Sequence, residues 1–489
     1  MSVAPAVLSA ASGFITYDHW LWAVTLLLLL DWIFFQPVLR VGFGSSEGDG
    51  QARSGTVALA ALNVAWLACI LGVATGGPII RLAAALGLSI GFRHFFIALR
   101  WRSVRRGSGA PGFMAHWTAR AIFLIEAARC LDQSVVETVL LALRWDFGWI
   151  ILCAGTYKAL SGYLSSNGME YGRVNPIWGY HWRVFSQLSP TGWYPRLMNW
   201  LASGVEIVSG LLMILPTPLT QMLGAAAISL SFLYVACFIR LGRLAILMVV
   251  LPFLLWPQLY ESAAAALAAF SVGLPWTAIL IKTTLWVYIG LLPVVKVMQY
   301  LNLFRNIVFP EPAQRWLSAY ANWVPIIVWR VFTADLTDFF CYVHGCDRDG
   351  RPIEAMVDAS TYSLGNWRRW RFKLRMLHVT ESIAITSVFT TLKYFPSKPD
   401  LFADKLWRYS QSLLADYGRP FPVLRYEFFK IEKRDTRFSF DKMGDFVIDC
   451  ETGVVRREHV VAGFDFAKPA DQSPVREGAA PGAMTPLSR

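Results

Sequence analysis

Apolar positions run in long blocks over residues 19–304 and give way to alternation beyond them. Residues 19–35 ("HWLWAVTLLLLLDWIFF") predict a short membrane span, since a run of about 20 apolar residues crosses a hydrocarbon core as a helix. Residues 56–77 predict a cleaner span. Residues 79–99 predict a third, interrupted by Arg81 and Arg93. Residues 118–142 hold Glu126, Arg129 and Asp132, so this helix is expected inside a bundle and away from lipid. Residues 145–163 predict the helix that carries Lys158. Further spans are expected at 197–215, 219–239 and 241–258. Residues 263–304 read either as one long tilted helix or as two spans broken near Lys282.

The pattern changes after about residue 310, where the period falls from that of helices to that of strands. "CYVHGCDRDGRPIEAMV" reads as two short strands around an Asp-Arg-Asp-Gly turn. "DLFADKLWRYSQSLLADYG" has helical periodicity and a glycine stop. "VLRYEFFKIEKR" alternates like a half-buried strand, and "FSFDKMGDFVIDCETGVVRREHV" reads as a hairpin. The expected fold is therefore an α-helical polytopic membrane bundle of about 8–10 transmembrane helices, followed by a small α+β soluble domain. The boundaries are an N-terminal segment 1–18, a transmembrane domain 19–308 with an aromatic-rich loop 164–196, an α+β extramembrane domain 309–466 and a disordered tail 467–489.

Composition agrees with lipid as the solvent for much of the chain. Of the 489 residues 55% are hydrophobic and 16% charged, against about 25% charged in soluble domains. The net charge of +12 is clustered, as in "RWRSVRRGSG" at 100–109. Such a cluster beside an apolar block fits a cytoplasmic loop rather than a nucleic-acid surface, so no nucleic-acid partner is expected. The 21 tryptophans suit interfacial belts. No basic stretch precedes an early apolar core, so no cleavable signal peptide is expected. Cys341 and Cys346 flank His344 at a spacing that does not match a zinc site, and no metal is expected. A local disulfide between them would require an oxidising face.

Ionisable residues inside apolar spans are costly, at about 2.5–3.5 kcal/mol each near the centre. Asp31, Glu126 and Glu206 are expected as buried charges that staple helices by pairing. Lys158 admits two readings. It snorkels to the interface from its helix end, or it is desolvated, loses its proton near neutral pH and serves as a general base. Contact with Glu170 or Glu206 would favour the charged form and decides between these roles. The following loop, "NPIWGYHWRVFSQLSPTGWYP", is expected to fold as a cover whose rings enclose a flat apolar ligand or form an interfacial belt.

"AGTYKALSGYLSSNGMEY" at 154–171 resembles a segment of the vitamin K-dependent gamma-carboxylases, with Lys158 at the lysine of an Ala-Gly-x-x-Lys motif. Gly162-Tyr163 and Met169-Glu170-Tyr171 match the Gly-Tyr-Ser-Met-Glu-Tyr that follows, with a short insertion. Asp31 in "LLLLLDWIFF" and His116 in "AHWTARAIFLIEAARCLD" fall at family positions, as does Glu206 in "SGVEIVSG". "CDRDGRPIEAMVDASTYSLGNWRRW" is similar to the family's Arg-Asp-Gly-Arg hairpin and Arg-Arg-Trp. The resemblance covers about residues 15–465 and points to the bacterial branch, the horizontally transferred transmembrane (HTTM) domain, related to the lipase maturation factors.

The resemblance implies an integral, multi-pass protein of a bacterial inner membrane. It implies that Lys158, with His116 as a helper, acts as base on a reduced quinone similar to menaquinol or vitamin K hydroquinone. O2 and CO2 join the reaction if it is a true carboxylation. Tyr157, Tyr163, Trp178 and His181 are the candidate cofactor contacts. Glu170, Tyr171 and Asn175 are the candidates for a protein or peptide substrate. Two departures stand out: Phe232 and Val235 occupy the places of a family His and Asn, and Tyr157 replaces a second lysine. They leave open an alternative, a non-enzymatic maturation factor or chaperone for an exported protein.

Overall fold

The computed structural model describes residues 16–44, 49–97, 109–160, 163–164, 168–256, 275–304, 307–323, 338–361, 369–376, 381, 385, 388–389 and 399–459. The expected tail 467–489 and most of the N-terminal segment 1–18 lie outside them. The described chain is mostly helical, with one small antiparallel sheet near its C-terminal end.

Helices α1 (Tyr17–Gly44), α2 (Asp49–Thr75) and α3 (Pro78–Ile97) pack side by side. Trp32 stacks on Trp66 at 4.2 Å and donates its indole N–H to Asn63 Oδ1 at 2.8 Å, so an apolar contact and a polar one fix the same pair of helices. Helix α4 (Gly109–Arg129) joins them through Glu126, whose Oε1 accepts from Tyr17 OH and from Arg129 Nη1, both at 3.1 Å. Glu126 is thus a staple, as its type and place suggest. Asp31 lies within α1, with its side chain outside the described residues.

The expected helix 118–142 is instead two helices. Chain direction reverses at Cys130–Asp132, and α5 (Gln133–Leu160) begins where Asp132 Oδ1 accepts from Ser134 N at 2.6 Å. An aspartate there satisfies amide groups that the new helix leaves open. The expected helix 145–163 is the second half of α5. Around Lys282 the expectation of a possible break gives way to one continuous helix, α11 (Pro275–Phe304), in which Lys282 hydrogen-bonds Ser134 of α5.

Helix α8 (Trp193–Ile214) lies against α5 at close range, because glycines face each other's backbones. A methyl group on Gly155 would sit 2.7 Å from Ile207 N, and one on Gly210 would sit 2.5 Å from Leu152 N. Small residues at such a crossing let two helices in an apolar medium approach and pack. Helix α9 (Pro218–Phe238) starts with its proline in the first turn, after Thr217. Helix α10 (Arg243–Leu255) follows Gly242, whose φ of +53° suits glycine, and has 13 residues. Among the described residues three helices are long and apolar enough to cross a membrane: α8, α9 and the stretch Trp276–Met298 of α11. Helix α12 (Glu311–Trp323) packs its Leu317 against Leu292 and Val295 of α11.

The sheet comprises β1 (Phe339–Cys346), β2 (Pro352–Val357), β3 (Val423–Lys433), β4 (Phe438–Asp449) and β5 (Val455–Glu458), in the order β2-β1-β3-β4-β5, all antiparallel. Helices α13 (Trp370–Met376) and α14 (Pro399–Tyr417) accompany it. Its core is aromatic, with Phe389 in ring contact with Phe339, Phe402, Tyr426, Phe428 and Phe446. The buried Arg375 donates to Glu381 Oε1 and Asp416 Oδ2, each at 2.9 Å, which pays for its loss of hydration. Cys341 and Cys346 are free thiols, buried in different apolar clusters. Residues five apart on a strand point to opposite faces, so they form no disulfide.

Candidate functional site

Lys158 lies in the last turn of α5, 7% exposed, with its Nζ 2.5 Å from Glu206 Oε1 on α8. The glycine-mediated approach of α5 and α8 makes this pair possible, since Gly155 sits one turn before the lysine, against Glu206 Cβ. The lysine neither snorkels to water nor stands alone as a desolvated amine. It is clamped to a buried acid, which corrects the reading of Lys158 as an isolated neutral base. Burial in low dielectric without bulk water makes the pair costly to form and more costly to break on one side.

The pair does not use all its polar atoms. Glu206 Oε2 is buried and has no hydrogen-bond partner. The same holds for Ser209 Oγ, one turn further along α8, and for Tyr163 OH. Tyr163 is fully buried, its ring centroid 5.9 Å from Lys158 Nζ and its side packed on Gly168, where a methyl group would meet Cδ1 at 2.5 Å. Among the described residues these three atoms keep hydrogen-bonding capacity that the protein does not use.

The segment after Lys158 meets the antiparallel sheet. Helix α6 (Met169–Val174) carries Glu170, which ion-pairs with Lys433 at the end of β3 and accepts from Gly168 N at 3.2 Å. Burial pushes the pKa of Lys433 below the ordinary lysine value, and Glu170 opposes that shift. Tyr171 lies under Lys433 Nζ, 4.8 Å from its ring centroid, and meets Phe438 edge to face. Asn175 donates to Phe339 O at 2.7 Å and accepts from Ile177 N at 2.8 Å. Glu170, Tyr171 and Asn175 are therefore seated in the joint between domains. They do not line an open substrate surface.

The remaining candidates scatter. Tyr157 is buried on α5 beside Lys158. Trp178 is buried and accepts from Arg240 N through its carbonyl at 2.7 Å. His181 is exposed, precedes α7 (Trp182–Phe185) and meets Phe238 at 6.1 Å, outside any enclosed chamber. Trp182 packs edge to face on Phe440 of β4 at 5.5 Å, so the aromatic loop also contacts the sheet.

His116 does not join Lys158. It is buried on α4 next to Trp117, which donates to Asp146 Oδ2 at 2.7 Å. Asp146 precedes Lys158 by twelve positions on one helix, so about 18 Å of helix rise separates their levels. Phe232 and Val235 are both buried apolar residues of α9.

The sequence reading passes over two features. One is a second buried pair, Asp146 with Lys296 of α11 at 4.0 Å. Asp146 Oδ1 and Lys296 Nζ make no hydrogen bond, and neither do the nearby hydroxyls of Tyr288 and Tyr320. The other is Arg173 on α6, which is 1% exposed. Intramembrane charge is the signal that could have found Asp146 and Lys296.

No family model, curated protein or solved structure matches this chain.

Proposed function

We propose that this chain is a multi-pass integral membrane enzyme in which the Lys158–Glu206 pair manages a proton for a lipophilic, quinol-type cofactor, as the resemblance to the vitamin K-dependent gamma-carboxylases and HTTM proteins suggests. One observation carries the reading: Glu206 presents one oxygen to Lys158 and keeps the other buried without a partner. Lys158 holds the carboxylate in place and balances its charge. The free Oε2 is then the atom that takes a proton, a different assignment from the amine itself.

The residues fit a ring that bears hydroxyl groups. Glu206 Oε2 accepts, while Tyr163 OH and Ser209 Oγ both donate and accept, and all three are buried without partners. These residues would hold the cofactor. When bound, it supplies reducing equivalents for chemistry with O2, and with CO2 if the product is a carboxylate. The three long apolar helices support placement in a membrane, which we take to be a bacterial inner membrane. A protein or peptide presented near the seat of the soluble domain is the proposed substrate. Solvent extraction of the purified protein, followed by mass spectrometry, tests the cofactor. One quinone per chain is expected, reduced at least about tenfold in Glu206→Gln. Absence of quinone from protein purified out of quinone-containing membranes contradicts the reading.

A second reading rests on Phe232 and Val235. Both are apolar and buried where the carboxylases carry a His and an Asn, and neither side chain hydrogen-bonds a carboxylate. They favour a non-enzymatic maturation factor or chaperone, as the lipase maturation factors suggest. Capture of one exported client whose maturation is unchanged by Lys158→Ala would support that reading over the first.

A further inference from the structure

Arg173 is a buried cation without an acid. Its Nη1 donates to Tyr194 OH at 3.0 Å and to Tyr234 OH at 3.1 Å, and the two hydroxyls are 3.2 Å apart. The rings of Phe185 and Tyr194 each lie with their centroids 4.9 Å from its Cζ. No carboxylate forms an ion pair with it among the described residues, and its Nε is buried with no hydrogen-bond partner. The acid one turn earlier, Glu170, is engaged by Lys433 and by Gly168 N. The partners of the two nearby ion pairs, Lys158 with Glu206 and Lys433 with Glu170, are engaged with each other and offer Arg173 no acid. Phenol hydroxyls and ring faces soften a buried guanidinium but do not neutralise it.

We propose that Arg173, with the hydroxyls of Tyr194 and Tyr234, binds the phosphate of an anionic phospholipid head group. A guanidinium is the side chain best shaped to pair with phosphate oxygens, and Nε has no hydrogen-bond partner among the described residues. A phosphodiester brings a negative charge and oxygens that a guanidinium can pair with. Position favours a lipid over a free ion. Tyr194 stands on α8 and Tyr234 on α9, two of the helices long enough to cross a membrane. Both tyrosines are only half-buried, and the same helices expose Leu197, Leu201, Leu230 and Leu233 below them, a surface for acyl chains. The inference rests on the membrane placement of α8 and α9 and not on the proton chemistry at Glu206.

The test uses full-length protein, purified in detergent and stripped of lipid. Native mass spectrometry follows addition of phosphatidylglycerol, phosphatidylcholine or inorganic phosphate. One phosphatidylglycerol per chain is expected, with the zwitterionic lipid and inorganic phosphate held at least about tenfold more weakly. Arg173→Gln should lose at least about tenfold in retained phosphatidylglycerol, and Tyr194→Phe/Tyr234→Phe, which keeps the cation, should lose less. Arg173→Lys, which keeps charge but not the planar fork, stands in if the glutamine variant does not fold. Unchanged retention in the arginine variants overturns the proposal, and so does equal retention of the two lipids or binding of inorganic phosphate alone. Recovery of the chain in the soluble fraction without detergent would contradict the membrane placement itself, before any lipid is added.

Discussion

Lys433, the last residue of β3, reaches Glu170 of α6 across 263 positions of sequence and forms an ion pair with it. The carboxylate is 2% exposed at its side chain and the lysine 19%. This contact ties the sheet to the loop that follows Lys158. Asn175, donating to Phe339 O, repeats the tie on the neighbouring strand β1.

Replacing one partner strands the other. Lys433→Met leaves Glu170 buried and unpaired, a loss of about 3–5 kcal/mol by the usual cost of a broken buried pair. The expected result is a lower thermal midpoint and new proteolysis in the 164–196 loop. Glu170→Gln with Lys433→Met together should recover part of the loss. Equal midpoints for wild type and Lys433→Met would show the contact to be unimportant.

Gly155 and Gly210 hold α5 and α8 at the distance the Lys158–Glu206 bond requires. Gly155→Ala places a methyl group 2.8 Å from Glu206 Cβ, so the helices must part. A cost of about 1–3 kcal/mol is expected from overpacking, together with weakened quinone binding. Gly204, with nothing near an added methyl, is the control and should tolerate alanine. Similar losses at both positions would detach the glycine contact from the site.

Much of the antiparallel sheet region is legible in the sequence because strand and turn signals are local. The Asp-Arg-Asp-Gly turn is realised with Gly350 at φ +79° and Asp347 Oδ1 accepting from Arg351 N at 2.8 Å. The glycine stop is Gly418 at φ +75°, just past α14. The alternating "VLRYEFFKIEK" is β3, and the hairpin that follows is β4 and β5. The helical part is less legible, since long apolar blocks fix helices but not partners. Lys158 is visible as an odd residue in a greasy helix. Its bond to Glu206, 48 positions on, depends on two glycines whose role appears only when α5 and α8 are packed. His116 matches a motif position yet faces the level of Asp146, which no local pattern reveals. The break at Asp132 was readable as an aspartate two residues before a serine at a helix start, but the apolar residues on both sides conceal it.

The Asp146–Lys296 pair is expected to behave as a coupled unit. Lys296→Met alone leaves a buried aspartate whose remaining anchor is Trp117 and should cost about 3–5 kcal/mol. Asp146→Asn combined with Lys296→Met should cost less than either single change suggests, a coupling that a double-mutant cycle of thermal stability measures. Simple additivity would contradict the pairing.

The sheet carries an acid-side dependence at Glu427. The His344 imidazole, its Nε2 3.2 Å from Glu427 Oε2, and Lys442, which donates to Oε1 at 2.7 Å, hold the Glu427 carboxyl down to about 2. The unfolded carboxyl titrates near about 4.3, so the stabilisation is full above that pH and is lost as pH falls toward about 2. Partial exposure limits the effect to about 1 kcal/mol. Glu427→Gln should flatten the fall of the thermal midpoint across this window and leave the neutral value lower. A parallel fall in both proteins would contradict the assignment.

The most direct test of the Lys158–Glu206 site is the rate of quinol oxidation by purified protein in detergent, compared with Glu206→Gln and Lys158→Ala. Removing a positioned proton acceptor should slow turnover by about 10²–10⁴-fold in the glutamine variant, with a comparable loss in the alanine variant. Rates equal to wild type in both folded variants, or no oxidation by the wild type above the buffer rate, would contradict proton management at this pair.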